Sequence, residues 1–311
     1  MSGIKQIPGI KQLYSLYKLA TSGRYTIGIA IFDERVVEDG FVPKVNWIKD
    51  DHIRGWFADP FILRMTEEEI VFLVEEWIYK FNRGVISQVV INRKDYSIKE
   101  VKTIINTGKH MSFPIYYRKD GKVYLYPEQS ARGETWLYEY DEATCTAKEV
   151  RLLNPNDVVD TTISEIKKGE KILLCTTAPN HNGDVLDIYP YYETECPSAL
   201  KPIKQIKFPK KTARNAGVLF KVNGKLYRPA QDCTIRYGEC VEIQEVRFDG
   251  DEITFIPRNC IFSPNKEYNL GFHTFNVFND EYVAVDAYKR RFLIGGLVKG
   301  IGSFIGKFFK G

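Results

Sequence analysis

The sequence predicts an all-β fold, a five-bladed β-propeller with a C-terminal amphipathic helix, on three observations. A unit of strand, tight turn and strand recurs five times, and two of its turns, Asp120-Gly121 and Asn223-Gly224, are strong short hairpin signals. Aromatic residues make up 14% of the chain, which leans towards β structure and flat binding surfaces. Successive units start 54, 47, 55 and 58 residues apart. A four-stranded blade with its connections takes roughly 40 to 50 residues, so this spacing suits five blades with slightly long loops. A large β-sandwich whose hairpins resemble one another by chance is the alternative. Closure into a ring is favoured, because it protects sheet edges without charged edge strands.

The first unit reads Asp59-Pro-Phe-Ile-Leu, a Thr-Glu-Glu-Glu turn, then Ile70-Val-Phe-Leu-Val-Glu-Glu. The second runs from Phe113-Pro-Ile-Tyr-Tyr to Val123-Tyr-Leu-Tyr-Pro-Glu, and the third from Asp160-Thr-Thr-Ile-Ser to Lys171-Ile-Leu-Leu-Cys-Thr-Thr. The fourth joins Asn215-Ala-Gly-Val-Leu-Phe to Leu226-Tyr-Arg-Pro-Ala-Gln-Asp; the fifth joins His273-Thr-Phe-Asn-Val-Phe to Tyr282-Val-Ala-Val-Asp. Later strands stand out at 85–92, 135–140 and 241–248. This divides the chain into a basic N-terminal segment (1–30), the propeller (31–288) and a basic amphipathic tail (289–311).

Composition narrows the function. At 44% hydrophobic and 27% charged, the 311 residues can bury a sizeable core. The body has no 18-residue uncharged apolar run, and no charged-then-apolar leader opens the chain, which argues against secretion. The six cysteines include no C-x-x-C pair and none at zinc-finger spacing from a histidine, so no metal is expected and reduced thiols are. Cys233 and Cys240 could nevertheless face each other across one hairpin. Residues 1–31 carry four bases and no acid, residues 287–311 six bases and no acid, while the net charge is only +4. Basic ends on an acidic body argue against nucleic acid as partner and suggest that the termini meet an anionic surface.

In a propeller the first strand of each blade lines the channel, so its start and the end of the next strand share one mouth. Strand starts supply Asp59, Asp160, Asn215 and His273, with His110 and Ser112 just before Phe113. Strand ends supply Glu75 with Glu76, Glu128, Thr176 with Thr177, Gln231 with Asp232, and Asp286. Adjacent strand residues point to opposite faces, so at most one of Glu75 and Glu76 faces the channel. Converging carboxyls suit glycosidic chemistry, in which one acid protonates the leaving oxygen and a carboxylate activates the nucleophile. Asp59, Asp160, Glu128 and Asp232 are the candidate catalytic residues; His110, Arg214, Arg228, Gln231 and His273 are the candidate substrate-binding residues. Arg214, Arg228 and Arg236 suit a phosphate-bearing donor or acceptor, since a guanidinium fork matches phosphate oxygens. Capping of loops and pairing of acid with arginine is the structural alternative for each. There is no P-loop or dinucleotide fingerprint, and no cofactor is expected.

The strings Phe57-Ala-Asp-Pro-Phe-Ile, His110-Met-Ser-Phe-Pro, Tyr126-Pro-Glu-Gln-Ser, Asp160-Thr-Thr-Ile, Arg214-Asn-Ala-Gly, Leu226-Tyr-Arg-Pro-Ala-Gln-Asp-Cys and Gly271-Phe-His-Thr-Phe-Asn carry a family resemblance. Over about residues 25 to 288 the chain resembles the N-terminal propeller domain of plant glucosamine inositolphosphorylceramide transferases. Similar domains occur alone or fused to formyltransferase-like modules in bacterial polysaccharide clusters. That domain is itself similar to the five-bladed propellers of inverting arabinanases and xylosidases. The resemblance implies that Asp59 holds their general-base position. Those hydrolases begin blade two with aspartate and blade three with glutamic acid, where this chain has Phe113 and Asp160. Either Asp160, Glu128 or Asp232 supplies the acid, or the hydrolytic mechanism is absent.

In the tail, Ile294, Leu297, Val298, Ile301, Phe304, Ile305 and Phe308 follow helical spacing, and Lys299 and Lys307 interrupt any span. A helix lying in the headgroup plane is one reading, and packing on protein the other. Residues 10–20 are a weaker amphipathic candidate. Taken together, the sequence predicts a cytoplasmic protein peripheral to the inner face of the membrane, acting on glycosidic bonds in envelope polysaccharide or glycolipid synthesis. The alternative is a non-catalytic glycan-binding scaffold beside a partner glycosyltransferase.

Overall fold

In a computed structural model, which describes residues 21–292 apart from 168 and 251, the chain forms five four-stranded antiparallel sheets. Strands β1 (Thr21–Ile31) and β2 (Asn46–Trp47) open it. Blade one follows as β3 (Gly55–Met65), β4 (Glu69–Ile78), β5 (Arg83–Asn92) and β6 (Ile98–Ile105). Blade two is β7 (Tyr116–Lys119), β8 (Lys122–Leu125), β9 (Thr135–Asp141) and β10 (Thr146–Asn154). Blade three is β11 (Val158–Lys167), β12 (Glu170–Thr177), β13 (Val185–Pro190) and β14 (Lys204–Lys207). Blade four is β15 (Phe220–Val222), β16 (Lys225–Asp232), β17 (Cys240–Asp249) and β18 (Glu252–Ile261). Blade five joins β19 (Phe275–Phe278) and β20 (Tyr282–Phe292) to β1 and β2. This is the five-bladed propeller that the repeat predicts.

Packing between blades explains the sequence pattern. Blade one sends Ile70, Phe72 and Val74 against Ile27 and Ile29 of blade five, while Val71 and Leu73 join Leu125 and Leu137 of blade two. Both faces of β4 are therefore buried, and the strand reads as an unbroken apolar run rather than an alternation. Phe72 is 1% exposed. Phe72→Ala is expected to cost about 3–5 kcal/mol in a denaturant titration, by lost transfer energy plus the cavity left behind. The hairpins at Asp120-Gly121 and Asn223-Gly224 form as expected, with φ of 50° and 74° in the first and 50° and 75° in the second. Two consecutive positive φ values suit the turn that follows strand twist.

The ring closes where the sequence places a separate segment. Strand β1 pairs with β20 from Thr21↔Phe292 to Ile31↔Tyr282, so residues 21–30 and 289–292, expected outside the propeller, are part of it. Its basic residues obscured the strand: Arg24 forms an ion pair with Asp50, and Lys289 with Glu267, so neither is a free surface charge. A chain lacking residues 1–31 is expected to lose its cooperative unfolding transition in a thermal melt, because β20 and β2 then have no partner between them. The cysteines also depart from expectation. Cys240 and Cys260 form a disulfide across β17 and β18, whereas Cys233 is free. The expected C-terminal amphipathic helix, the tail beyond residue 292 and the amphipathic candidate at 10–20 lie outside the described residues.

Candidate functional site

The start of the innermost strand carries the same backbone device in three blades. Asp59, Phe113 and Asp160 have φ of 49°, 45° and 46°, left-handed values that side chains other than glycine seldom adopt. In β3 the ladder skips between Ala58 and Phe61, and in β11 between Val159 and Thr162. Such a bulge re-aims one side chain, here turning the Asp59 and Asp160 carboxyls towards the axis. Aspartate tolerates this backbone conformation far better than phenylalanine does. The departure at Phe113 therefore keeps the strained backbone while removing the carboxyl.

Asp59 ties three blades together. Its Oδ2 accepts the Phe113 N–H at 3.0 Å, and its Oδ1 lies 2.9 Å from Thr274 Oγ1. Its own N–H donates to Asp286 Oδ2 at 3.1 Å. Asp286 also accepts the backbone N–H groups of His273 and Thr274 at 3.1 Å and the His273 Nδ1–H at 2.8 Å. The His273 ring stacks on Tyr25 at 4.7 Å between centroids and meets the edge of Tyr237 at 5.4 Å. Thus Asp59 and His273 come together as expected, with His273 Nδ1 3.7 Å from Asp59 Oδ1.

A second group faces this one. Arg214 Nε donates to Asp160 Oδ2, and Gln231 Nε2 donates to the same oxygen at 2.7 Å. Gln231 Oε1 is buried with no hydrogen-bond partner among the described residues. Glu128 accepts from Ser112 Oγ at 2.5 Å and from the Ser130 N–H at 2.7 Å. Of the adjacent acids, Glu76 faces away and pairs with Arg54, His52 and Ser87, while Glu75 stands in the cluster with Oε1 3.9 Å from His110 Nδ1. His110 itself sits at the rim, its Nδ1 accepting the Gly84 N–H at 2.9 Å. A Cβ on Gly84 would collide with Glu75 Oε1 and lie 2.5 Å from the Met111 carbonyl, so Gly84 leaves room for this acid. Gly84→Ala is expected to displace Glu75 and, because the Met111 carbonyl is backbone, to lower the melting temperature as well as sugar affinity in calorimetry.

Two expected members are elsewhere. Gln231 turns to the axis, and the two-residue period of β16 sends Arg228 and Asp232 to its other face. Arg228 is fully buried, its guanidinium held by Asn215, Gln244 and the Thr212 and Ala213 carbonyls, 5.6 Å from the Phe208 ring centre. It fixes the 212–215 segment that presents Arg214 and does not reach the mouth. Asp232 caps its own loop through the Thr234 N–H at 2.8 Å. Arg236 pairs with Glu239 on the exposed part of that loop. The expected open pocket is also roofed: Tyr237 lies across the cluster, with the Arg214 guanidinium 5.0 Å from its ring centre. Tyr25, Glu75, Tyr237, Thr274 and Asp286 complete the site beyond the expected residues. Asp286 and Glu75 already stood at unit ends; Tyr25 was masked by the basic segment around it.

Burial splits the carboxyls electrostatically. It pushes the Asp59 carboxyl up to about 6, with His273 opposing and Asp286 and Asp160 adding to the rise. Glu75 is pushed well above its ordinary value by burial and by the charges of Asp59 and Glu128. Burial also raises Asp160 although Arg214 opposes it. For Glu128 burial is outweighed by Arg214 and the two serine hydrogen bonds, and its carboxyl stands below the ordinary range. Burial disfavours charge on His273 as well, but Asp286 overrides it and raises the imidazole. One carboxyl raised to about 6 near a second whose ionisation burial disfavours is an arrangement suited to proton transfer. Asp59, His273 and Asp286 are also close enough to hold an ion between them.

The family described as "Glucosamine inositolphosphorylceramide transferase 1, N-terminal" matches residues 46–255. Glucosamine inositolphosphorylceramide transferase 1 of Arabidopsis thaliana is 27% identical over 147 residues, 44% of this chain and 18% of that protein. The protein of the same name from Oryza sativa subsp. japonica is 24% identical over 161 residues, 48% of this chain and 21% of that protein. The chain thus spans about a fifth of the length of these relatives. Among solved structures, a GH43 β-1,3-galactosidase aligns with a TM-score of 0.50 at 13% identity, over 85% of this chain and 60% of its own. A glycoside hydrolase aligns with a TM-score of 0.50 at 15% identity, over 78% and 62%. At these identities the two structures share the fold alone.

Proposed function

The chain belongs to the family of glucosamine inositolphosphorylceramide transferase N-terminal domains, and from that premise we propose that its propeller acts on glycosidic bonds in glycolipid or envelope polysaccharide synthesis. The split among the axial carboxyls supports this reading most. Asp59, ionised above about pH 6, takes the proton from an acceptor hydroxyl as that oxygen attacks the anomeric carbon. Glu75, whose ionisation is disfavoured by burial and by the neighbouring charges of Asp59 and Glu128, donates to the departing oxygen, a role that falls to Glu75 because Asp160 is engaged by Arg214. Proton and leaving group balance: the acceptor's proton stays on Asp59, and the leaving oxygen carries that of Glu75. Arg214 binds a phosphate-bearing donor only by giving up bonds to Asp160 or Asn182, and the unpartnered Gln231 Oε1 accepts a substrate hydroxyl. The protein works in the cytoplasm on the inner membrane face, held by its basic tail and alongside a glycosyltransferase.

A second reading has one observation in its favour. Asp160 is bound to an arginine and Tyr237 roofs the cluster, which suits a scaffold that grips a glycan without cleaving it. Calorimetry with the purified chain and a panel of oligosaccharides, combined with glycan synthesis in cells, separates the two. Catalysis predicts that Glu75→Gln keeps sugar affinity and loses synthesis; a variant that keeps both leaves only the scaffold. For the anchor, a chain ending at residue 292 is expected to sediment with membranes more weakly than the full chain, and undiminished sedimentation counts against the tail.

A further inference from the structure

The mouth of the propeller carries apolar tips with basic residues beside them. Ile53 is 92% exposed in the connection that enters blade one, next to Arg54. Tyr79 and Phe81 flank Lys80 in the turn between β4 and β5, and all three are exposed. Ile235, 71% exposed, precedes Arg236 in the loop between β16 and β17, and Phe262, 54% exposed, follows β18. The strand directions put all of these on the side from which Asp59, Asp160 and His273 are reached: Gly55 pairs with Ile78 at the outer end of β3, and Asp232 with Cys240 at that end of β16.

These tips share one arc of the rim, from blade four across blade five to blade one. Strand β1 starts and β20 ends on the same arc, since Thr21 pairs with Phe292. The segments joined there, 1–20 and 293–311, contain bases and no acid. On the opposite side some turns are acidic, with Glu67 and Glu68, Asp141 and Glu142, and Asp280 with Glu281, and others are basic, with Arg93 and Lys94, Lys119 and Lys122, and Lys221 and Lys225.

We propose that this arc of the mouth is a docking face for an anionic phospholipid surface, with Ile53, Phe81, Ile235 and Phe262 entering the interface, Lys80 meeting the phosphates, and Arg54 and Arg236, half exposed in their pairs with Glu76 and Glu239, adding to the charge at headgroup level. Apolar and aromatic side chains alternating with bases gain from both media at a bilayer boundary, where the ring or alkyl tip leaves water and the cation stays at headgroup level. Each base near an anionic surface adds an attraction that falls off within a Debye length, and the basic terminal segments that leave from this arc add theirs on the same side. The docking face is independent of the chemistry at the axis and of the tail. Its consequence, that the acceptor reaching Asp59 is carried on a lipid, rests on the proposed glycosyl chemistry.

The full chain is mixed with sucrose-loaded vesicles of phosphatidylcholine and phosphatidylglycerol, and with phosphatidylcholine alone, and bound protein is measured by sedimentation. Binding is expected to require phosphatidylglycerol and to weaken at least tenfold between low and high salt. A rim variant (Ile53→Ser, Ile235→Ser, Phe262→Ser) is expected to bind at least tenfold more weakly, whereas a far-side variant (Ile31→Ser, Ile203→Ser) retains the parent affinity; both replace exposed residues, and thermal melts check their folding. Full affinity in the rim variant overturns the proposal, because the terminal segments alone then carry the contact. Equal loss in both variants, equal binding to neutral vesicles, or no binding by the parent overturns it too. None of these outcomes depends on sugar turnover, so the glycosyl reading stands or falls separately.

Discussion

Cells in which this chain carries Asp59→Asn are expected to make glycan about 10²- to 10⁴-fold more slowly, the range associated with loss of a positioned general base. The fold should survive, because an asparagine Oδ1 can still accept the Phe113 N–H that Asp59 accepts at 3.0 Å. Unchanged synthesis with a normal melt would falsify the assignment of Asp59 as base. In the parent, turnover is expected to rise as pH climbs through about 6, where Asp59 ionises. The stability effect has the opposite sign. Asp59 stands above its ordinary value of 3.8, so the folded chain binds this proton more tightly than the unfolded chain. Stability from this group therefore declines as pH rises from about 4 to about 6, and Asp59→Asn should flatten that part of the melting profile. Glu76 behaves conversely: burial opposes its ionisation, but His52, Arg54 and Ser87 hold it down at about 2. Its stabilisation is present above about pH 4.5 and is lost as pH falls towards 2.

Arg214→Met is the substitution expected to destabilise the site most, by about 3–5 kcal/mol in urea titrations, because it leaves Asp160 buried without its counter-charge. Asp160 is 1% exposed and the Arg214 side chain 11%, so water cannot take over the role. A double variant, Asp160→Asn with Arg214→Met, should recover most of the loss, since neither buried charge then remains. A penalty below about 1 kcal/mol for the single substitution, the range of an exposed pair, would show that the pair is solvated in solution and that the cluster is open. Removing Arg214 should also raise the Glu128 carboxyl, because Arg214 is the principal opponent of its burial.

The ring was legible in the sequence because hairpin signals and apolar runs recur at blade spacing, and each is a local property. Its closure was not, since the pairing of β1 with β20 joins the two ends of the described chain and no local pattern marks a partner that far away. The same division holds in the site. Asp59, Asp160, Gln231 and His273 were found from position in the repeat, which fixes where a strand starts or ends. Arg228 and Asp232 were misplaced because repeat position does not fix which face a side chain takes; the two-residue alternation about Gln231 does. Glu75 could be narrowed only to one of two neighbours, until Arg54 and His52 claimed Glu76.

Because the first described strand lies between β20 and β2, blade five stays incomplete until β20 has been synthesised. At a ribosome, the apolar face of blade one that later meets Ile27 and Ile29 has no permanent cover while four sheets are already being made. Such a nascent chain is exposed to wrong pairing for as long as translation lasts, and its assembly rate is set by distant rather than neighbouring contacts. An order of synthesis beginning at residue 55, with residues 21–47 appended after residue 292, would make blade five, like the others, from four consecutive strands.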